Sequence, residues 1–251
     1  MMNTMRKLVL FDIDGTLVLT GGAGIRAMNR ACEELVGHPH ALAGIPVAGR
    51  TDRIILTDVV ARAGHALDDG LLERLRDRYI SHLREEIERP GRTQSFESLG
   101  ARGGVKAVMP GIRELLDLLE RRDDVFLGLL TGNFEAGARI KLEHFDLWRY
   151  FHCGAYGDDA ADRNELVPFA LERARRCGLP DLAPEHILVV GDTPHDVACA
   201  RAVGATPVGV ATGGFTVEQL RDSGADIVFQ DLSRTNEFVN LLGDYNMTER
   251  K

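Results

Sequence analysis

The chain has 251 residues, of which 44% are hydrophobic and 27% charged, and 30 Lys and Arg against 38 Asp and Glu give a formal net charge of −8. These proportions match ordinary globular chains and exclude a predominantly disordered, collagenous or low-complexity protein. The acidic balance argues against nucleic acid as a partner, and no apolar run reaches the roughly 18 residues of a membrane helix, so no membrane partner is expected either.

In chain order, residues 8–11 form the first strong element, a continuous apolar run suited to a strand buried on both faces. The run is too short for a signal peptide. It ends in Asp12, Ile13, Asp14, Gly15 and Thr16. From Gly21 the texture turns helical, with Ile25, Met28, Cys32, Leu35 and Val36 spaced three and four apart. Residues 37–49 are rich in Gly and Pro and read as a loop. Ile55 and Val59 predict a short helix ending near Gly64. Leu72, Leu75, Tyr79, Leu83 and Ile87 predict a longer one, stopped by Pro90 and Gly91.

After Pro110 strands and helices alternate. A helix is predicted on Ile112, Leu115, Leu116 and Leu119, a strand at 125–130, a helix at 134–145 and a weaker strand at 151–155. A helix on Val167, Ala170, Leu171 and Ala174 follows, then a strand at 187–190, a helix at 194–203 and a strand at 206–210. A short helix, a strand at 227–229 and a helix at 236–242 complete the series, and the tail 246–251 is expected to fray. The alternation predicts an α/β fold, a doubly wound three-layer sandwich on a parallel sheet. The lone first strand needs that sheet for burial. Residues 1–19 and 105–251 therefore form the expected core domain, and 20–104 an inserted helical domain.

The thiols Cys32, Cys153, Cys177 and Cys199 include no CxxC pair. They are expected to be buried and reduced in a cytoplasmic protein. His38, His40, His65 and His82 lack metal-ligand spacing and are expected on the surface.

In open parallel sheets, ligands bind beyond the carboxyl ends of the strands. Polar residues gather at three such ends: Asp12 and Asp14; Thr131, Gly132 and Asn133; and Asp192, Thr193, His195 and Asp196. Each aspartate alone is an ordinary turn or cap residue. Together, four carboxylates at one sheet edge repel one another unless protonated or neutralised. A hard divalent cation such as Mg²⁺ neutralises them, and a phosphate group is its natural partner. Glycines let backbone N–H groups approach phosphate oxygens.

These strings resemble the first, second and fourth motifs of the haloacid dehalogenase superfamily of hydrolases, in order and spacing. The helical insert after the first motif is similar to that family's mobile cap. The resemblance implies a phosphatase in which Asp12 is the nucleophile, forming an aspartyl-phosphate, and Asp14 the general acid and base. It implies metal ligation by Asp12, Asp14 through its backbone carbonyl, and Asp192, with Asp196 holding a metal-bound water. It implies phosphate binding by Gly15, Thr16, Thr131, Gly132 and Asn133.

One departure stands out. The family's third motif supplies a Lys, and this chain has none between Lys141 and Lys251. Arg163 stands in the matching place and is expected to orient the nucleophile and offset phosphoryl charge, although a guanidinium is not a point ammonium. The competing expectation is a surface ion pair to Asp158 or Asp159. In the insert, residues 48–53 are similar to the cap segment of phosphoglycolate phosphatase-like members. Arg50 or Arg53 could there meet a substrate carboxylate or second phosphate, or could simply be solvated near a helix capped by Thr51 or Asp52.

The expected activity is Mg²⁺-dependent hydrolysis of a small soluble phosphomonoester by a monomer or homodimer. The rivals are a phosphoryl mutase on the same scaffold and a binding relative without turnover. A third is a dinucleotide-dependent oxidoreductase built on the loose GxGxxA string at residues 22–27, which lies too far past the strand to form its turn.

Overall fold

The computed structural model describes residues 6–66, 68–91 and 104–243. The expected fraying of the 246–251 tail falls outside them. The chain opens with β1 (Lys7–Phe11) and the short β2 (Val18–Thr20), then three helices: α1 (Ala23–Val36), α2 (Asp52–Arg62) and α3 (Asp69–Glu86). It returns through β3 (Lys106–Val108) to α4 (Ile112–Glu120), β4 (Val125–Leu130), α5 (Glu135–His144) and β5 (Cys153–Ala155). Then come α6 (Leu166–Arg176), β6 (Ile187–Gly191), α7 (Pro194–Ala202), β7 (Thr206–Val210), α8 (Val217–Asp222), β8 (Ile227–Phe229) and α9 (Thr235–Leu241).

Six strands form one sheet in the order β5-β4-β1-β6-β7-β8, all parallel. The first strand lies in the middle, as its unbroken apolar run requires. Leu8 and Leu10 pack on one face with α6 and α7, while Val9 and Phe11 pack on the other with α4, α5 and α9. A strand with both faces covered leaves no position for alternating polarity. Strand order reverses at β1: β4 and β5 lie to one side, β6, β7 and β8 to the other. That reversal opens a crevice at the carboxyl end of the sheet.

The helices α1, α2 and α3 bury their stripes in a separate cluster, including Met28, Leu56, Leu75, Tyr79 and Leu83. Phe134, at the start of α5, inserts into this cluster and stands 6.4 Å from the Tyr79 ring centroid to centroid. The expected elements all form, but the periodicity gives no sign of the antiparallel ribbon β2–β3. Three-residue strands are too short to show a period. The ribbon brings Gly21 beside Gly104, where a Cβ at Gly21 would stand 3.2 Å from the Gly104 carbonyl oxygen.

Two burial expectations need correction. His82 is buried, not exposed: Leu75, Tyr79 and Glu86 share its buried face of α3, and its Nε2 makes a 2.8 Å ion-pair contact with Glu34 outside hydrogen-bond alignment. Among the thiols, Cys32 and Cys199 are buried, but Cys177 is exposed just past the end of α6 and Cys153 is half-buried. No described helix is long and apolar enough to cross a membrane.

Candidate active site

The sheet register sets the site. Phe11 pairs with Leu129 and with Val190, so the chain leaves β1, β4 and β6 at one level. Asp12 follows Phe11 directly, and Thr131 and Asp192 follow one residue further along, after Leu130 and Gly191. Asp12 stays in register through its own N–H, which donates to the Val190 carbonyl at 2.9 Å. Oxygens of Asp12, Asp192 and Asp196 all lie within 4.8 Å of one another, and all three residues are buried.

Burial holds the Asp12 carboxyl above the usual carboxylate range; Arg163 pulls it back and Asp196 and Asp14 add to the rise. Asp192 is raised further, by burial and by the charges of Asp12 and Asp196. Carboxylates this close and this dry are costly as anions unless a cation joins them. The protein's own contribution is Arg163. Its Nη2 lies 2.9 Å from Asp12 Oδ1 and 2.5 Å from Asp196 Oδ1. Burial opposes the guanidinium charge, but Asp12 and Asp196 outweigh it and raise the Arg163 pKa. The Arg163 Nε–H has no hydrogen-bond partner among the described residues. The surface alternative fails because Asp158 pairs with Arg76 and Asp159 with Arg173.

One guanidinium against three carboxylates leaves negative charge uncompensated, and three convergent oxygen donors fit a hard divalent cation. Backbone packs tightly around them. A Cβ at Gly213 would stand 1.4 Å from Asp192 Oδ2, and one at Gly191 2.0 Å from the Asp196 carboxyl carbon. Thr16 donates to Asp192 Oδ1 at 3.1 Å, and Thr212 to the Gly15 carbonyl at 2.6 Å. Asp196 also closes a capping box at the start of α7, accepting from the Thr193 N–H at 3.0 Å and the Thr193 hydroxyl at 2.8 Å.

Asp14 has different surroundings. Its Oδ2 accepts from Lys141 Nζ at 2.6 Å and from Asn133 Nδ2 at 2.8 Å, and Lys141 also donates to Asn133 Oδ1 at 2.6 Å. Asn133 Nδ2 reaches the Thr131 hydroxyl oxygen at 2.8 Å. Asp14, Lys141, Asn133 and Thr131 thus form one connected polar network. Lys141 is a site residue that motif reading misses. The available signal is helical spacing: Ala138, Lys141 and Leu142 share the buried face of α5. Thr212, Gly213 and Gly214, beyond β7, are a fourth strand end that the motif reading leaves unused.

The start of α2 reaches this loop directly. Thr51 caps α2 and donates to the Ala161 carbonyl at 2.7 Å. The Asp52 N–H donates to the Gly132 carbonyl at 2.7 Å, and the Asp52 carboxylate accepts from the Phe134 N–H at 2.9 Å. Burial pushes the Asp52 carboxyl up to about 7, against the pull of Lys141 and that N–H. Arg50 is engaged by Asp58 at 2.7 Å and the Pro46 carbonyl at 2.9 Å.

A cavity of about 520 Å³ joins these parts. Asp12, Asp14, Gly15, Thr131, Gly132, Asn133, Lys141, Arg163 and Asp192 line it on the sheet side, with Arg50 and Asp52 on the helical side. Arg53, Thr16 and Asp196 are not among its lining residues, and His195 is exposed beside Gly49. The oxidoreductase string 22–27 forms the entry to α1, not the turn after β1.

Comparison with known proteins agrees with this geometry. The model of the haloacid dehalogenase-like hydrolase family matches residues 6–204. The chain belongs to that family. It is therefore a hydrolase by descent. A phosphoglycolate phosphatase of Agrobacterium fabrum is 28% identical over 238 residues, covering 91% of this chain and 90% of the relative. That of Escherichia coli K12 is 27% identical over 265 residues, covering 94% and 92%. The crystal structure of a hydrolase from Pseudomonas syringae superposes with a TM-score of 0.63 at 22% identity, covering 94% of this chain and 98% of that one, a likeness of fold.

Proposed function

We propose that this hydrolase is a Mg²⁺-dependent phosphatase that cleaves a small phosphomonoester through an aspartyl-phosphate on Asp12. The observation that carries the reading is the buried group Asp12, Asp192 and Asp196, partly offset by Arg163 and set beside the Thr131–Asn133 loop. The helices between residues 20 and 104 serve as a cap over the core formed by 1–19 and 105–251. Asp12, Asp192 and the Asp14 backbone carbonyl would hold the ion, with Asp196 behind them. When bound, Mg²⁺ supplies positive charge to the phosphoryl oxygens and to the crowded carboxylates.

The chain's own residues do the rest. The Asp12 carboxylate attacks phosphorus; its oxygen–phosphorus bond forms as the ester oxygen–phosphorus bond breaks. Asp14 gives its proton to the departing alkoxide oxygen, so an alcohol leaves. A water then attacks the phosphorus of the aspartyl-phosphate. Asp14 takes the water proton, the carboxylate of Asp12 is restored, and inorganic phosphate is released. Thr131, the Gly132 backbone and Asn133 donate to the phosphoryl oxygens, with Gly15 and Thr16 shaping the turn beneath them. Arg163 fixes the Asp12 carboxylate and offers its free Nε–H. Lys141 and Asn133 hold Asp14 in place.

The test is phosphate release from p-nitrophenyl phosphate and a panel of metabolite phosphates, with Mg²⁺, with EDTA and with Asp12→Asn. Turnover is expected to need both the ion and Asp12, with a loss of at least about 10³-fold in the variant. Turnover that persists in purified Asp12→Asn would refute the covalent route.

A further inference from the structure

The cavity is electrostatically lopsided. Most of its charged groups lie on the sheet side, whereas Ile25, Met28, Leu42, Val47 and Ile55 line the helical side beside Arg50 and Asp52. Ile25 is 41% exposed, a large apolar side chain left open to solvent where it faces the cavity. The cations lining the cavity, among the described residues, are Arg50, Lys141 and Arg163. Each already pairs with a carboxylate: Arg50 with Asp58, Lys141 with Asp14, and Arg163, through Nη2, with Asp12 and Asp196. Near Lys141 the helical side adds Asp52, itself an acid, and the Tyr79 hydroxyl. A substrate carboxylate there would meet two carboxyl groups for one ammonium, after losing its own hydration. An apolar group would cover Ile25 and Met28 and expel water from the whole wall.

Size points the same way. About 520 Å³ lies within the range of pockets that enclose ring-sized or larger ligands, and is far more than a two-carbon acid needs. Gly24 keeps the space open. A Cβ there would stand 3.5 Å from Lys141 Nζ and 3.6 Å from the Tyr79 hydroxyl oxygen, in ordinary contact and without backbone strain.

Resting on the phosphatase reading above, we infer that the leaving group this site accepts is an uncharged, predominantly apolar alcohol of at least one ring's size, and not a carboxylate-bearing one such as glycolate. The sheet side would hold the phosphoryl group, common to all substrates, and the helical wall would select by burying hydrocarbon.

The experiment compares kcat/KM for ethyl, benzyl and 2-phenylethyl phosphate and for phosphoglycolate, whose leaving alcohols are similarly poor. It uses the full chain with Mg²⁺, in wild type, Gly24→Ala and Gly24→Val. Benzyl and 2-phenylethyl phosphate are expected to exceed ethyl phosphate by at least about tenfold, and phosphoglycolate to fall below ethyl phosphate. Gly24→Val should shrink the benzyl-to-ethyl ratio of kcat/KM, a ratio that removes any common loss transmitted through Lys141, with Gly24→Ala intermediate. Phosphoglycolate turning over faster than the benzyl ester, or no gain from ethyl to benzyl, would overturn the inference and leave the phosphatase reading standing. If no ester is hydrolysed, the phosphatase reading falls and takes the inference with it. Should Gly24→Val fail to fold, the wild-type series and Gly24→Ala decide alone.

Discussion

The two sides of the cavity solve opposite problems. On the sheet side, acidic groups crowd together in a dry place, and bonds tie most of them down: Arg163 across Asp12 and Asp196, Thr16 on Asp192, Thr193 on Asp196. On the helical side the wall is hydrocarbon, and polar bonds serve to anchor the wall to the loop beside it, through Thr51 and Asp52. Charge that must act on a reacting bond has to be held rigidly, because a misplaced dipole gives no benefit in the transition state. A surface that only has to bury part of a ligand can be loose and apolar. Chemistry and selection are therefore separable by mutation, and substitutions at the border between them are the most informative.

The largest effect should come from Arg163. Arg163→Met leaves Asp12 and Asp196 buried without their cation, which typically costs about 3–5 kcal/mol. Thermal unfolding should show that loss without metal, Mg²⁺ should recover part of it, and kcat should fall at least about 100-fold. Arg163→Lys should restore some stability and some rate. A Met variant with wild-type kcat would remove Arg163 from the mechanism.

A smaller effect is expected at Lys141. If it positions Asp14 for proton donation, Lys141→Met should slow alkyl phosphates about 10–100-fold and p-nitrophenyl phosphate much less, since nitrophenolate leaves without a proton. Equal losses on both substrates would make Lys141 a merely structural partner.

A third effect, on stability alone, concerns Asp52. Its carboxyl sits at about 7 in the fold, against an ordinary value near 3.9 when unfolded. The folded state therefore holds a proton that the unfolded chain has given up. This contribution is complete below the unfolded value and is lost as pH rises towards 7, at up to about 1.4 kcal/mol per pH unit. Asp52→Asn, which can still accept from the Phe134 N–H, should flatten that slope. Melting temperatures at pH 5 and pH 8 should differ less in the variant than in the wild type.

The same border divides what the sequence discloses from what it conceals. The strand-end residues are legible because a parallel sheet forces catalytic groups into short contiguous strings after apolar runs, as with Asp12 to Thr16 and Asp192 to Asp196. Lys141 escapes because it stands ten residues beyond Thr131, inside a helix where a lysine ordinarily faces water. Asp52 reads as a possible cap of α2, yet Thr51 takes that place and Asp52 reaches across to Phe134. Such cross-element bonds have no local spacing. The β2–β3 ribbon is hidden by its brevity, and His82 by its polarity. The apolar character of the helical wall is spread over separate segments, from Ile25 to Ile55, and only folding collects it.

The carboxylates of Asp192 and Asp196 lie flat against bare backbone, with no room for a Cβ at Gly213 or at Gly191. These glycines take no part in the chemistry, but a methyl group on either would push an aspartate out of the cluster. In a survey of tolerated substitutions they would be as intolerant as the aspartates themselves. Intolerance at this edge therefore marks which positions hold the geometry, and only a subset of those positions ever touches the reacting bond.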